Sequence, residues 1–172
     1  MATKGSLKDE HANKFYGACV ESAANTLTFT EINTNVSVFD KVAWVLTRLE
    51  YWIGYTNRNL LLDSADMFQL ALVSSNKAAS LTLSDAGVID LLEYKMELAT
   101  SVGLFIKVEP LQREFNTMPG GGLIISPRPL YIAVQGSGCA SAVTVEARGY
   151  FTALDLSADE YLELVDFYRI VQ

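Results

Sequence analysis

Along this chain, hydrophobic and polar residues alternate more often than they recur at helical spacing, which predicts a protein built mainly of β-strands. In Thr26-Leu27-Thr28-Phe29-Thr30 apolar side chains interleave with threonines, the period-two pattern of a strand with one face buried. Asn33-Thr34-Asn35 reads as the turn after it. Met67 to Ser74 is a further short strand, bounded by Asp63-Ser64 and Ser75-Asn76. Leu104, Ile106 and Val108 alternate with Phe105, Lys107 and Glu109 until Pro110 stops the run. Pro119-Gly120-Gly121-Gly122 forms a loop before Leu123-Ile124-Ile125, and Pro127 and Pro129 flank a corner. The clearest local unit comes next. Leu130, Ile132 and Val134 alternate along one segment, Gly136-Ser137-Gly138 turns the chain, and Val143, Val145, Ala147 and Phe151 alternate along a second. That succession predicts a β-hairpin.

Other segments carry mixed signals. Between Lys41 and Ile53, Val42, Val45, Leu46, Leu49 and Ile53 would share a helical face. Equally, Ala43, Val45, Thr47, Leu49, Tyr51 and Ile53 would share a strand face, with Arg48 and Glu50 opposite. The Val, Trp, Thr, Tyr and Ile content tips this segment toward strand. Ser84-Asp85 predicts a cap for one short helical turn running to Leu92. Ser157-Ala158-Asp159-Glu160 is a capping box. It opens an amphipathic helix with Leu162, Val165 and Tyr168 inward and Asp159, Glu160, Glu163 and Asp166 toward solvent or a partner. Residues 1–24 are polar and Ala-rich, with Gly17 interrupting any helix, and read as an exposed arm that becomes ordered near Phe15.

The expected organisation is an N-terminal arm (1–24), a β-barrel domain (25–156) and a C-terminal helix and tail (157–172). Its fold class is mostly β: a single jelly-roll barrel or sandwich of about eight antiparallel strands.

Composition sharpens that picture. The chain has 172 residues, enough for one domain with its own core. It is 50% hydrophobic but only 19% charged, against about 25% in an average soluble domain. So little charge is met most simply if part of the exterior is covered by partners, the alternative being a well-filled core under a Ser/Thr/Asn surface. The net charge of −7 opposes a grip on phosphates, and no basic arm or stripe is visible, so direct nucleic-acid binding by a basic arm is not expected. No run approaches the ~20 apolar residues of a membrane helix. Met1 to Asn13 lacks the apolar core of a signal peptide, so synthesis and folding in the cytoplasm are expected. Cys19 and Cys139 are expected to be free, buried thiols.

Candidate chemistry is sparse. His11 is the one histidine, and an imidazole on an arm cannot be held against a nucleophile; with two distant cysteines it makes no zinc site either. Gly136 to Ser141 superficially matches a phosphate-binding loop, but Val143-Thr144-Val145 continues as strand, not as the helix that loop needs. Asp85, Asp90, Glu93 and Glu97 read as a solvated face. Trp44, Tyr51, Trp52 and Tyr55 could stack on sugars, although packing in a core or interface is the commoner use. No catalytic, cofactor or metal-ligating residues are assigned, and the chain is not expected to be an enzyme. The candidate interface residues are Phe15, Trp44, Tyr51, Trp52, Tyr55, Tyr161 and Tyr168.

The stretch from Phe115 to Glu163, FNTMPGGGLIISPRPLYIAVQGSGCASAVTVEARGYFTALDLSADEYLE, together with AANTLTFTEI near Asn25, resembles small icosahedral-virus capsid proteins. Among these it resembles the vertical single jelly-roll capsid proteins of viruses infecting bacteria and archaea. The resemblance implies a structural subunit that self-assembles into a virus shell and resides in the virion. Its partners would be copies of itself, with a second capsid protein as an optional addition. Many capsid proteins carry an Arg-rich arm; this chain does not, which implies that another component manages the genome's charge. The alternatives are a β-sandwich carbohydrate-binding module with Trp44 and Trp52 as platforms, and a carboxylate-dependent jelly-roll hydrolase.

Overall fold

A computed structural model describes residues 13–34, 41–53, 66–77, 79–85, 87–95, 111–126 and 129–170. Within them lie nine strands and one helix, in the order β1 (Asn13–Val20), β2 (Thr28–Glu31), β3 (Val42–Ile53), β4 (Met67–Val73), β5 (Val88–Lys95), β6 (Leu111–Glu114), β7 (Leu123–Ile125), β8 (Tyr131–Ser137), β9 (Thr144–Asp155) and α1 (Ala158–Ile170). The segment 101–110, with its expected strand, lies outside the described residues, as do His11, Tyr55 and Glu97.

The strands form two antiparallel sheets. Sheet A runs β1-β9-β3-β6, with β7 also paired to β3; sheet B runs β2-β8-β4-β5. Strand β9 runs along one edge of β3, while β6 pairs with Arg48–Tyr51 and β7 with Trp44–Leu46. Together β6 and β7 act as one interrupted strand. With that merger the described residues hold eight strand positions, paired first with last (β1 with β9), second with second-last (β2 with β8), then β3 with β6 and β7, and β4 with β5. A long antiparallel hairpin rolled up in this way is a jelly roll.

The core fills the space between the sheets. Alternation on β9 puts Val145, Ala147 and Phe151 inward against Ile132 and Val134 of β8 and Leu70 and Leu72 of β4. Phe15, Trp44 and Phe151 stack in a row, with ring centroids 5.6 Å apart for Phe15–Trp44 and 3.8 Å for Trp44–Phe151. Phe15 lies opposite Gly149 in the β1–β9 register. A side chain on Gly149 would occupy the space of the Phe15 ring. A smaller apolar cluster, Ala71, Val73, Ala133 and Leu81, lies on the other face of sheet B.

A break in β3 corrects the single-phase strand pattern. The β3–β9 register shifts between Leu46 and Arg48, leaving Thr47 as a bulge. Its hydroxyl donates to the Tyr150 carbonyl at 3.1 Å, and its own carbonyl accepts the Phe115 N–H at 2.8 Å. Before the bulge Trp44 and Leu46 point inward; after it Leu49 and Tyr51 do. Each half of β3 therefore fills the core, with opposite parity.

Four further expectations are corrected. Residues 13–20 are not an arm, because Phe15 and Cys19 face the core and the backbone pairs along its length with β9. Strands β8 and β9 do not form a hairpin: they lie in opposite sheets and face each other across the core. Val88 to Leu92 is strand, because Asp85 closes a turn by accepting the Gly87 N–H at 2.8 Å instead of capping a helix. In α1 the capping box forms, with Ser157 N–H donating to Glu160 at 2.8 Å and Glu160 N–H to the Ser157 hydroxyl at 3.3 Å. However, Leu162 is 58% exposed, while Tyr161 and Leu164, three apart on one face, are half-buried.

A buried carboxylate ties two loops at one end of the sandwich. Glu21, 3% exposed, accepts N–H bonds from Gly136 at 2.5 Å, Val143 at 2.7 Å and Thr26 at 3.1 Å. Beside it, Asn25 adopts a left-handed backbone (φ 63°). Its side chain donates to the Cys139 carbonyl and accepts the Cys139 N–H at 2.8 Å. Cys19 and Cys139 are both free and buried, and burial pushes both thiols up.

Two stability predictions follow from these contacts. Gly149→Ala forces Phe15 out of its stack and lowers stability by about 1–3 kcal/mol in urea unfolding. Glu21→Ala strands buried N–H donors at about 1–3 kcal/mol each, and hydrogen exchange at Gly136 and Val143 accelerates ahead of the remaining core amides.

Candidate interaction surface

With the inward side chains assigned, register fixes what the outer face of sheet A carries. In one row across the strands Lys14 neighbours Tyr150, then Arg48, then Glu114. In the next row Tyr16 neighbours Arg148, Glu50 and Gln112. A third row holds Ala18, Glu146 and Trp52, and beyond it Val20 neighbours Thr144. On the other side Thr152, Val45 and Ile124 lie abreast. Period-two geometry produces this face: every strand contributes alternate residues, and the Thr47 bulge brings Arg48, Glu50 and Trp52 outward.

Polar groups at the centre of this face satisfy one another. Arg48 is ion-paired with Glu50, its guanidinium lies 4.7 Å from the centroid of the Tyr150 ring, and Glu114 lies 3.9 Å away. The Tyr150 hydroxyl donates to Glu50 at 3.3 Å. Hydrogen bonding to Glu50 raises the Arg48 guanidinium further above its ordinary value, keeping it charged. Arg148 lies 5.0 Å over the Trp52 ring. Around this centre, Tyr16 and Val20 are each 55% exposed and Ile124 is 49% exposed. Burial, and then the negative charge of Glu146, pushes the Tyr16 phenol up.

The seven residues expected at an interface are distributed unevenly. Trp52 lies on this face, half-buried. Phe15 (6% exposed), Trp44 (3%) and Tyr51 (0%) are corrected to core residues, because their strands turn them toward sheet B. Trp44 is covered by Phe15 and Phe151 and offers no ring face to a sugar. Tyr55 lies outside the described residues. Tyr161 is half-buried on α1, and Tyr168 belongs to α1 with its side chain outside the description. Sequence reasoning missed Tyr16, whose exposure follows only once residues 13–20 are placed as a strand.

Tyr51 instead belongs to a tie between the sheets. Its hydroxyl donates to Asp90 Oδ2 at 3.2 Å, and Arg113 Nε lies 3.1 Å from Asp90 Oδ1. Asp90 is 4% exposed and Arg113 49%. Both oxygens of Asp90 are thus engaged, as are those of Glu21, which makes these carboxylates structural ties. Among the described residues no group of three or more His, Cys, Asp or Glu is arranged to hold a metal ion, and no helix is long and apolar enough to cross a membrane. No family model matches the chain, and no curated protein matches it.

The Tyr51 tie has a pH signature. Burial and then the Asp90 charge push its phenol well above the ordinary 10.0. A proton held more tightly in the folded state stabilises the fold fully below the unfolded value and is lost as pH rises past it. Stability therefore falls on the alkaline side of 10.0, and Tyr51→Phe reduces that fall while costing about 1 kcal/mol at neutral pH. Urea unfolding of both proteins across the alkaline range measures the difference.

Proposed function

We propose that this protein is a structural subunit that packs against copies of itself to build a virus shell. The observation that carries the reading is the outer face of sheet A, where Tyr16, Val20 and Ile124 stand exposed around a satisfied polar centre and the half-buried Trp52. Large exposed apolar side chains gathered on one sheet face mark an association surface. The jelly-roll strand order supports the same reading, since this architecture serves viral capsid domains, although it serves lectins and cupins too. The segment from Phe115 to Glu163 adds its resemblance to capsid proteins.

In this reading binding energy comes from apolar burial, and polar residues set register between subunits. The chain's −7 charge repels the genome's phosphates, so another component of the particle would neutralise them. Purified protein at neutral pH and moderate salt should run on light-scattering chromatography as species heavier than one chain, with shells or sheets visible by electron microscopy. A species of monomer mass at every concentration overturns the proposal.

A further inference from the structure

We infer that the outer face of sheet A is the surface on which a second copy of this chain docks; the inference rests on the self-assembly reading and names the contact through which it operates. Charge selects this face. It carries Lys14, Arg48 and Arg148 against Glu50, Glu114 and Glu146, three of each sign, so that it is neutral. The chain as a whole carries −7. Two identical acidic chains approach most easily where each is neutral, because elsewhere like charges meet.

Two other described surfaces carry an excess of acid. Along α1, Asp159, Glu160, Glu163 and Asp166 are all exposed, and a helix-to-helix contact would bring acid against acid. The outer face of sheet B carries Glu31 and Glu93 at its margins against Lys95 at the same alternate register on β5, and Leu81 already covers part of its apolar centre.

Pattern and size agree with a self-contact. Cations and anions interleave across the rows Lys14–Tyr150–Arg48–Glu114 and Tyr16–Arg148–Glu50–Gln112. The same patch can therefore oppose itself across a two-fold axis with unlike charges facing. Four strands about 4.8 Å apart, with same-face residues about 6.8 Å apart, span roughly 600 Å2 in projection. A standard contact buries about 800 Å2 of accessible surface per partner. The face is of the right order. Tyr16 and Val20 on β1, with Trp52 on β3, supply the apolar contact.

The test is the association of full-length Tyr16→Glu and Val20→Glu proteins, measured by sedimentation against the wild-type chain, with circular dichroism to show the fold intact. Both side chains are exposed, so the two variants should fold normally. Each should weaken self-association by about tenfold or more, and the loss should shrink at high salt. Leu83→Glu, at a position 78% exposed on the β4–β5 connection, should associate as the wild type does. Wild-type association with Tyr16→Glu and Val20→Glu unaffected overturns the docking face and leaves self-assembly standing. A monomeric wild type overturns both.

Discussion

Pairing of the first described strand with the last holds this molecule together. The β1–β9 ladder runs from Asn13 opposite Phe151 to Val20 opposite Thr144, and it is the outermost turn of a nested set of antiparallel pairs. Phe15 reaches its place over Gly149 only through that ladder, and only there does it extend the Trp44–Phe151 stack. The same ladder delivers Tyr16 to the side of Arg148 on the opposite face. One backbone register thus sets a core cluster and an exterior patch together. The Glu21 tie works at the end of this ladder, joining the β1–β2 and β8–β9 connections where the rolled hairpin closes.

Polar groups in this protein are divided by position. Inside, Glu21 and Asp90 are each committed to several donors, as buried carboxylates must be. Outside, on sheet A, Arg48, Glu50 and Tyr150 satisfy one another within the chain. A face arranged like this does not need a partner to pair its charges, so docking costs little desolvation of unpaired groups. In the proposed contact, what a second copy would gain is the apolar rim.

Much of the fold was legible in the sequence. The residues of β8 and β9 alternate clearly, those of β3 and β4 have strand-forming composition and turn signals at their ends, and the number and spacing of such segments predict a jelly roll. Pairing was not legible, because alternation reports which face is buried and not which strand lies alongside. Strands β8 and β9 alternate as hairpin strands would, yet they face each other across the core. Strand β1 was hidden because Gly17, Ala18 and Cys19 are small and give a weak apolar signal. The bulge at Thr47 defeated the reading of β3, since one extra residue reverses parity and turns Trp44 inward while Trp52 goes out. The candidate surface inherited these gaps. Trp52 was expected there by residue type, whereas placing Tyr16 on that face required the register of β1 against β9.

The interruption between β6 and β7 has a consequence for how such a chain can change. Each piece is bonded separately to its own part of β3, and the Phe115 N–H holds the Thr47 carbonyl at the break. The bend between them passes through Gly120 and Gly121, both with positive φ and with open space where a side chain would be. Extra residues added at that bend would leave both registers untouched. The loop is a natural graft point, where a lineage could acquire a new exterior feature, or an engineer display a foreign peptide, without renegotiating the jelly roll beneath it.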